Sequence, residues 1–483
     1  MTHNKLLEAS ESLLRSGQLS KATENFKKIA LSKISTTEVI HVAQLARRTG
    51  QISAGIKIMQ RQLSQKHGID RQSLEFKAEY ANLLTLFGCV TEALDILTEV
   101  TIQSPPEALL AKAWCLFEVW EFSQAIPLLK KYVRVQKDDY LCLAGSVNLA
   151  EAFLGAGDVE SAIKFATKAI SDAAKKSYTR LQANALHVRA QAYEQNRNLS
   201  LSDKDLTHAL ELIGNSRTSD AFLIHRQVAI NEFLRLKKRS SLQTIKKMAS
   251  DRGEFESLRL CDLKSLQVKF NNDLFNHLYI GSPYKQFRTQ LSRQFPNGKL
   301  KKKIACGSKK GVLLDLSTPE MTFKGEVLEI TPQLQRLLLS LLQDLYAPMR
   351  VGGLYSNSFP GTHYIANHSP MVVHQALKRL RQWFEENQIP LAIVCTNRKY
   401  RLIQESPTTI VLSLDSFKLL EGLSTLQRLR RNFGSGTEFS LMEAAKILNL
   451  SKASTHRALV AEIYNGEIEM KYQGRNTKYV ITR

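Results

Sequence analysis

The sequence lacks the features that mark secreted, membrane-spanning and zinc-binding proteins. Its 483 residues include only six cysteines, which are scattered and form no C-x-x-C pair. A zinc site or a disulfide framework is therefore not expected, and this cysteine usage fits a reducing cytosol. The first residues have no apolar core of the kind found in signal peptides, and no run of about 18 apolar residues predicts a membrane span. We therefore expect a cytoplasmic protein without a membrane partner.

Sequence signals of catalysis are also missing. No phosphate-binding glycine loop is present, because the GSKKG stretch at residues 307–311 is too short for one. No group of His, Asp and Glu residues has the spacing of metal ligands. The sequence therefore predicts neither an enzyme nor a cofactor or metal site.

The chain has little acid relative to its base content. It carries 67 Lys and Arg residues against 45 Asp and Glu residues, which gives a formal net charge of +22. Residues 241–483 hold 35 of the basic and 20 of the acidic residues, so +15 of the excess lies in that half. A positive excess favours polyanions such as nucleic acid, although it also serves solubility alone.

The first 240 residues are helical in pattern and repeat with a period near 34. Five copies share a small residue, usually five positions after a turn glycine, and these small residues are Ala22, Gly55, Ala93, Ala125 and Ala162. Two less regular copies are predicted at residues 181–213 and 221–249. The pattern resembles the tetratricopeptide repeat (TPR), in which the small residue lets paired helices touch. The resemblance implies a solenoid whose groove binds a protein or peptide. The alternatives are a rigid spacer and a surface for a homodimer.

Residues 311–405 change from a strand pattern to a helix pattern. Alternating apolar residues predict three short antiparallel strands between residues 312 and 328. Thr331 and Pro332 predict a helix start, and a second helix is predicted from Ser369, which we expect to cap it. Two further strands are predicted around a polar tip at residues 396–399. This order of elements is typical of a winged helix.

The same region resembles the DNA-binding domain of the OmpR/PhoB response regulators. The likeness rests on the leading sheet and on the segments Ile-Thr-Pro at 330–332, Arg-Leu-Arg at 379–381 and Tyr-Arg-Leu at 400–402. One piece departs from the family pattern. Residues 351–368, which replace the positioning helix, include two adjacent glycines and a proline. Glycine costs about 1 kcal/mol and proline about 3 kcal/mol in a helix interior, so that helix is expected to be short or remodelled.

The C-terminal residues 412–483 predict a second unit of the same type. Helices are expected at residues 417–431, 439–448 and 451–465, followed by a hairpin. This stretch resembles the winged helix of MarR- and IclR-type regulators. The predicted fold is therefore mainly α. It has a TPR-like α-solenoid over residues 1–250, a helical extension and basic linker over 251–310, and two small α/β winged-helix domains at 311–405 and 412–483.

The resemblance implies that exposed polar residues on the second helix of each winged helix, and on the hairpins, contact double-stranded DNA. Arg379 is the residue expected to read a base, and Lys378 and Arg381 are expected to hold phosphates. Each of these side chains could instead be a solvated charge. The full candidate set is His374, Gln375, Lys378, Arg379, Arg381, Arg398, Lys399, Lys452, Ser454, Thr455, His456, Arg457, Lys471, Arg475 and Lys478.

These resemblances imply a bacterial-type, nucleoid-associated transcriptional regulator without a cofactor. Its helical repeat would bind a protein partner. The alternative is a scaffold subunit of the PCI type, in which a helical solenoid also precedes a winged helix but the winged helix binds protein. The leading sheet, the second winged helix and the basic C-terminal half favour the regulator.

Overall fold

The computed structural model describes most of the chain and divides it into two compact units. The described residues are 3–15, 18–65, 69, 72–214, 218–308, 310–360, 362–420, 425–434, 436–448, 452–464, 467–472, 474 and 477–482. The first unit combines Met1–Glu99, Ala305–Leu342 and Pro348–Arg483, and the second combines Val100–Ile304 with Gln343–Ala347. The fold is mainly helical, with small sheets towards the C-terminus. No helix of the described part is long and apolar enough to cross a membrane.

The first unit begins with three pairs of packed helices. Their bounds are α1 His3–Arg15, α2 Leu19–Lys27, α3 Val39–Arg48, α4 Ile52–Gln65, α5 Leu74–Phe87 and α6 Val90–Ile96, with a 3-10 turn at Leu31–Lys33. The second helix of each pair carries the small residue expected from the repeat. Ala22 and Ala93 are completely buried, and a Cβ on Gly55 would lie 2.7 Å from a methyl group of Leu83. Small residues are required there because larger ones would separate the helices.

The second unit continues the helix pairs. Its helices are α7 Pro106–Glu118, α8 Phe122–Val135, α9 Asp139–Ala156, α10 Val159–Lys175, α11 Thr179–Gln195, α12 Leu199–Ile213, α13 Ser219–Leu236, α14 Arg239–Arg252, α15 Glu256–Val268, α16 Asn272–Ile280 and α17 Lys285–Gln294. Ala125 and Ala162 are completely buried, so the repeat register predicted from the sequence is confirmed. The fold of these pairs is TPR-like. Trp120, which stands where the other copies have a turn glycine, adopts a positive φ of 63°.

A buried arginine joins the last helices of the second unit to its short segment Gln343–Ala347. The Arg259 side chain is 1% exposed, and its Nη2 donates to both carboxylate oxygens of Asp344 at 2.7 and 2.6 Å. The rings of Tyr284, Phe287 and Tyr346 lie 4.9 to 5.8 Å from the guanidinium. The guanidinium also pairs with Glu256. Removing Arg259 would leave the Asp344 carboxylate buried without a cation, and loss of one partner of a buried pair typically costs about 3–5 kcal/mol.

Within the first unit, residues 305–342 and 348–412 form module I, whose described part contains two small sheets and three helices. Its elements are β1 Ile304–Gly307, β2 Val312–Asp315, β3 Thr322–Phe323, β4 Glu326–Val327, α18 Pro332–Leu342, β5 Met349–Arg350, α19 Val351–Ser358, α20 Ser369–Glu386, β6 Leu391–Thr396, β7 Lys399–Gln404 and β8 Thr408–Leu412. The sheet orders are β1-β8-β2-β3-β4 and β5-β7-β6. The antiparallel β2-β3-β4 ladder confirms the three predicted strands, and β8 adds to it by pairing in parallel with β2.

Residues 415–482 form module II, which has its own small core. After a 3-10 turn at Asp415–Leu419, its elements are α21 Thr425–Phe433, β9 Glu438–Ser440, α22 Leu441–Leu448, α23 Lys452–Tyr464, β10 Ile468–Met470 and β11 Lys478–Ile481. The strands form one sheet in the order β10-β11-β9. Phe439 stacks on Phe433 with ring centroids 4.4 Å apart, and Leu429, Leu459 and Ile481 are completely buried around them.

Two local expectations need correction. Ser369 does not cap α20 through its side chain, because its Oγ accepts a hydrogen bond from the backbone N–H of Ile365 at 2.8 Å. The stretch interpreted as a basic linker contains α17, in which Phe287 and Leu291 are buried. The nine basic residues between 281 and 310 led to the linker interpretation, and the helical spacing of the apolar residues was missed.

The buried small residues of the repeat give a direct test. Ala162→Arg should lower the free energy of unfolding by several kcal/mol, because a bulky charge without a partner would replace a fully buried methyl group. Ala174→Arg is the matched control, since Ala174 lies exposed on the same helix α10 and surface changes usually stay within about 0.5 kcal/mol. Thermal melting followed by circular dichroism measures both. Equal melting temperatures for the two variants would contradict the assigned packing of α10.

Candidate nucleic-acid interface

The helix α20 has one buried and one exposed face. Val373, Leu377, Leu380 and Phe384 are buried in the core of module I at helical spacing. The candidate residues on this helix are all exposed, and they are His374, Gln375, Lys378, Arg379 and Arg381. The amphipathic pattern of the sequence thus places the polar side chains of α20 where a ligand can reach them.

Two of these exposed residues are held against the second sheet of module I. Tyr400 Oη and His374 Nε2 are 3.0 Å apart, and Arg381 Nη2 donates to the carbonyl oxygen of Ile393 at 3.2 Å. Lys378 and Arg379 form no hydrogen bond or ion pair with the described residues. Their charges are therefore available to an anion in solution.

The hairpin of strands β6 and β7 ends in a two-residue turn beside α20. Asn397 and Arg398 have positive φ values of 52° and 62°, and two successive residues in this conformation give the tight turn that matches the twist of the strands. Arg398 is exposed at the tip, and Lys399 next to it is half-buried. Arg398 is therefore open to solvent at the tip of the hairpin, and its role in a wing stays a prediction.

Module II places its candidate residues less uniformly. Lys452, His456 and Lys471 are exposed and Lys478 is half-buried. Thr455 is completely buried, so the prediction that it contacts DNA does not hold. A residue on the inner side of α23 packs the core, which the sequence spacing alone did not reveal. The side chains of Ser454 and Arg457, and the whole of Arg475, lie outside the described residues.

The first unit contains a cleft of about 2870 Å³, which we call the basic cleft. Its walls come from α4, α6, residues 355–372, α18, α21 and α23. Arg379, Arg398 and His456 line it, so the structure brings together these three candidates from both modules. The other described candidates do not line the cleft. The sequence did not predict that the repeat helices would form one of its walls.

The departure from the family pattern is explained by a close contact between α19 and the turn that links α5 to α6. A Cβ on Gly352 would lie 2.6 Å from the carbonyl oxygen of Phe87 and 2.7 Å from Cys89 Sγ. A Cβ on Gly353 would meet mainly the flexible end of Met349, at 2.5 Å. The sequence signal was the pair of adjacent glycines, which marks a close backbone approach as readily as a broken helix.

The segment that follows α19 is fixed to the repeat helices by hydrogen bonds. The Gln60 side chain accepts from the N–H of Ala366 at 2.8 Å and donates to the carbonyl oxygen of Tyr364 at 2.6 Å. Glu92 accepts from the N–H of Tyr364 at 2.9 Å, and the rings of Phe87 and Tyr364 are 4.8 Å apart. This segment leads directly into α20. The repeat helices therefore position the exposed face of α20.

An imidazole in the same segment connects the repeat helices to module II. His363 Nδ1 lies 3.4 Å from a Glu92 carboxylate oxygen, and its Nε2 lies 3.7 Å from Glu462 on α23. Burial alone would lower the pKa of His363, but the two carboxylates outweigh it and raise the pKa to about 10. The imidazole is therefore charged at neutral pH. Nearby Asp95 has a pKa raised to about 6, chiefly by burial.

The described residues contain no group of three His, Cys, Asp or Glu side chains that could hold a metal ion. The basic cleft also offers carboxylates, but these have cationic neighbours within the protein. Lys77 pairs with Glu99, and Arg430 donates to Glu467 at 2.7 Å. The charges of these carboxylates are therefore compensated within the protein.

Comparison with solved structures finds helical-repeat proteins. A MamA crystal structure is 20% identical over 37% of this chain and 91% of its own, with a TM-score of 0.29. A TPR protein from Parabacteroides merdae is 15% identical over 61% and 99%, with a TM-score of 0.32. The apo form of RapI is 11% identical over 62% and 100%, with a TM-score of 0.37. Such low scores say nothing about partners. No protein-family model and no curated protein matches the chain.

Because of the contact between α19 and the α5–α6 turn, we expect a Gly→Ala substitution to lower the stability here, whereas it usually raises the stability of a helix. In an ordinary helix Gly→Ala stabilises by about 1 kcal/mol. Gly352→Ala should instead destabilise by about 1–3 kcal/mol, because the new methyl group meets the backbone oxygen of Phe87. Gly353→Ala is the matched control and should be tolerated, since only the end of the Met349 side chain must move. Thermal denaturation of the full chain distinguishes them, and a more stable Gly352→Ala variant would rule out the contact.

Proposed function

We propose that this protein is a DNA-binding transcriptional regulator in which modules I and II are winged helices and the helical repeat binds a protein partner. The observation that carries the proposal is the exposed face of α20, with Lys378 and Arg379 unpaired among the described residues beside the Arg398 turn. A helix with long polar side chains fits the major groove, and an arginine at a hairpin tip fits the minor groove. The proposed roles are base reading by Arg379 and phosphate contacts by Lys378 and Arg381.

The order of elements in both modules supports this proposal. Module I has a leading sheet, three helices and a hairpin, as in the OmpR/PhoB domain that its sequence resembles. Module II has a helix, a short strand, two helices and a hairpin, and its second and third helices pack together. In such an arrangement α23 is the reading helix, and its exposed described candidates are Lys452 and His456. Lys471 is an exposed candidate on the hairpin that follows.

Charge gives a second, independent line of support. The +15 excess of residues 241–483 favours counterion release from a nucleic-acid backbone. The helical repeat would supply specificity for a protein partner, or a surface for a homodimer, because stacked helix pairs expose a large area. The proposal includes no catalytic activity and no cofactor.

A protein scaffold is the second candidate, and one observation favours it. The segment that replaces the positioning helix of the OmpR/PhoB domain packs on the repeat through Gly352 and through the hydrogen bonds of Gln60. A module whose helix is used for packing inside the chain resembles a PCI-type assembly unit. DNA binding by the full chain separates the two candidates.

The test is a titration of duplex DNA with the full chain at two salt concentrations. Affinity should fall steeply with salt. On the specific site, Arg379→Ala should cost about 1–3 kcal/mol and relax specificity at one base position. Arg457→Ala should also weaken binding, because Arg457 belongs to α23, the proposed reading helix of module II. Arg134→Ala, which removes an exposed arginine from α8, is the control and should leave affinity unchanged.

Two results would contradict the regulator. The first is the absence of salt-dependent binding to any duplex, which would favour the scaffold. The second is an equal loss of affinity in Arg379→Ala and Arg134→Ala, because that would make α20 only one part of a diffuse positive surface.

A further inference from the structure

Arg336 and Arg428 line the basic cleft and have no acidic partner among the described residues. Arg336 on α18 is half-buried, and its Nε is buried without a hydrogen-bond partner. Arg428 on α21 is also half-buried, and its Nη1 donates to the carbonyl oxygen of Leu448 at 3.3 Å. Neither guanidinium forms an ion pair with a described residue. Burial, and after it the positive charge of Arg428, lowers the pKa of Arg336, as expected for two cations on the wall of the same cleft.

The described carboxylates that line the cleft have other cationic neighbours, which for Asp95 is His363. Glu92 and Glu462 flank His363, and Glu467 accepts from Arg430. Glu99 pairs with Lys77. Arg336 and Arg428 are therefore two positive charges on a partly desolvated wall of the cleft, and no described carboxylate of the protein pairs with them. Such an arrangement costs free energy unless an anion compensates it.

We propose that Arg336 and Arg428 bind a phosphate group inside the basic cleft. A phosphate suits this pair because its several oxygens accept from two guanidinium groups at once, and arginine forms charge-assisted, often bidentate hydrogen bonds with it. The phosphate can come from the backbone of bound nucleic acid or from a free phosphate compound. The first source rests on the proposed function, whereas the site itself does not.

The dimensions of the cleft favour a phosphate that is part of a larger ligand. Its volume of about 2870 Å³ exceeds the roughly 300–1,000 Å³ of ordinary small-molecule sites. Arg379 and Arg398 line the same cleft, and neither is paired with a described residue. A nucleic-acid backbone that contacts these two arginines could place a further phosphate at Arg336 and Arg428.

The site is tested by thermal melting of the full chain with inorganic phosphate and with chloride at matched ionic strength. A ligand that binds the folded state raises the melting temperature as its concentration increases. The wild type should show this rise with phosphate, and Arg336→Gln and Arg428→Gln should each lose it. Arg134→Gln removes the same charge from an exposed position in α8 and should keep the rise. Without phosphate, the two cleft variants should melt no lower than the wild type, because removing one arginine relieves repulsion.

The source of the phosphate is tested by the salt dependence of duplex binding. If the backbone of DNA supplies it, Arg336→Gln should reduce the slope of log K against log salt by about 1. If a free phosphate supplies it, the slope should stay unchanged while the melting effect is still lost. If the protein binds no DNA but phosphate still raises its melting temperature through these arginines, the phosphate-site proposal stands and the regulator proposal fails.

The proposal is overturned by either of two melting results. One is a wild-type melting temperature that is the same in phosphate and in chloride. The other is a phosphate-dependent rise that both cleft variants keep at the size seen for Arg134→Gln. The use of two separate cleft variants keeps the test valid if one of them fails to fold.

Discussion

The first unit depends on the close approach of the α19 backbone to the turn between α5 and α6. A side chain at Gly352 would collide with the carbonyl oxygen of Phe87, so the contact exists only because that residue is glycine. The hydrogen bonds of Gln60 and Glu92 then hold the next segment on the repeat helices. Since this segment leads into α20, the repeat sets the direction of the helix that carries Arg379. A short helix in module I is therefore an adaptation to packing inside the chain.

Charge is distributed unevenly around this contact. His363 lies between carboxylates of α6 and α23 and is protonated at neutral pH, so opposite charges connect the repeat to module II. Arg336 and Arg428 have no such compensation among the described residues. Buried charges that are paired favour one defined arrangement of the chain. Unpaired buried charges lower the stability of the fold, and a bound ligand of opposite charge can remove that cost. The same cleft thus contains both the ion pairs that stabilise it and the arginines that can bind an anion.

The sequence predicted what depends on local pattern. Buried small residues such as Ala93 and Ala162 follow from the 34-residue period, and the antiparallel strands β2 to β4 follow from alternation and turn residues. Contacts between distant segments left weaker signals. The parallel pairing of β8 with β2 joins strands nearly one hundred positions apart in the sequence. Thr455 and Arg379 are both polar residues in predicted helices, but only Arg379 is exposed in the structure. The two adjacent glycines were visible, but their neighbours in space were not.

We propose that this chain binds specific DNA through exposed residues of two small α/β modules, while its repeat helices position module I. The most direct measurement is immunoprecipitation of the protein from cells, followed by sequencing of the DNA that remains bound. We expect enriched fragments that share a sequence motif, with the enrichment lost in Arg379→Ala and kept in Arg134→Ala. Recovery of protein partners without enriched DNA would contradict it and favour the scaffold.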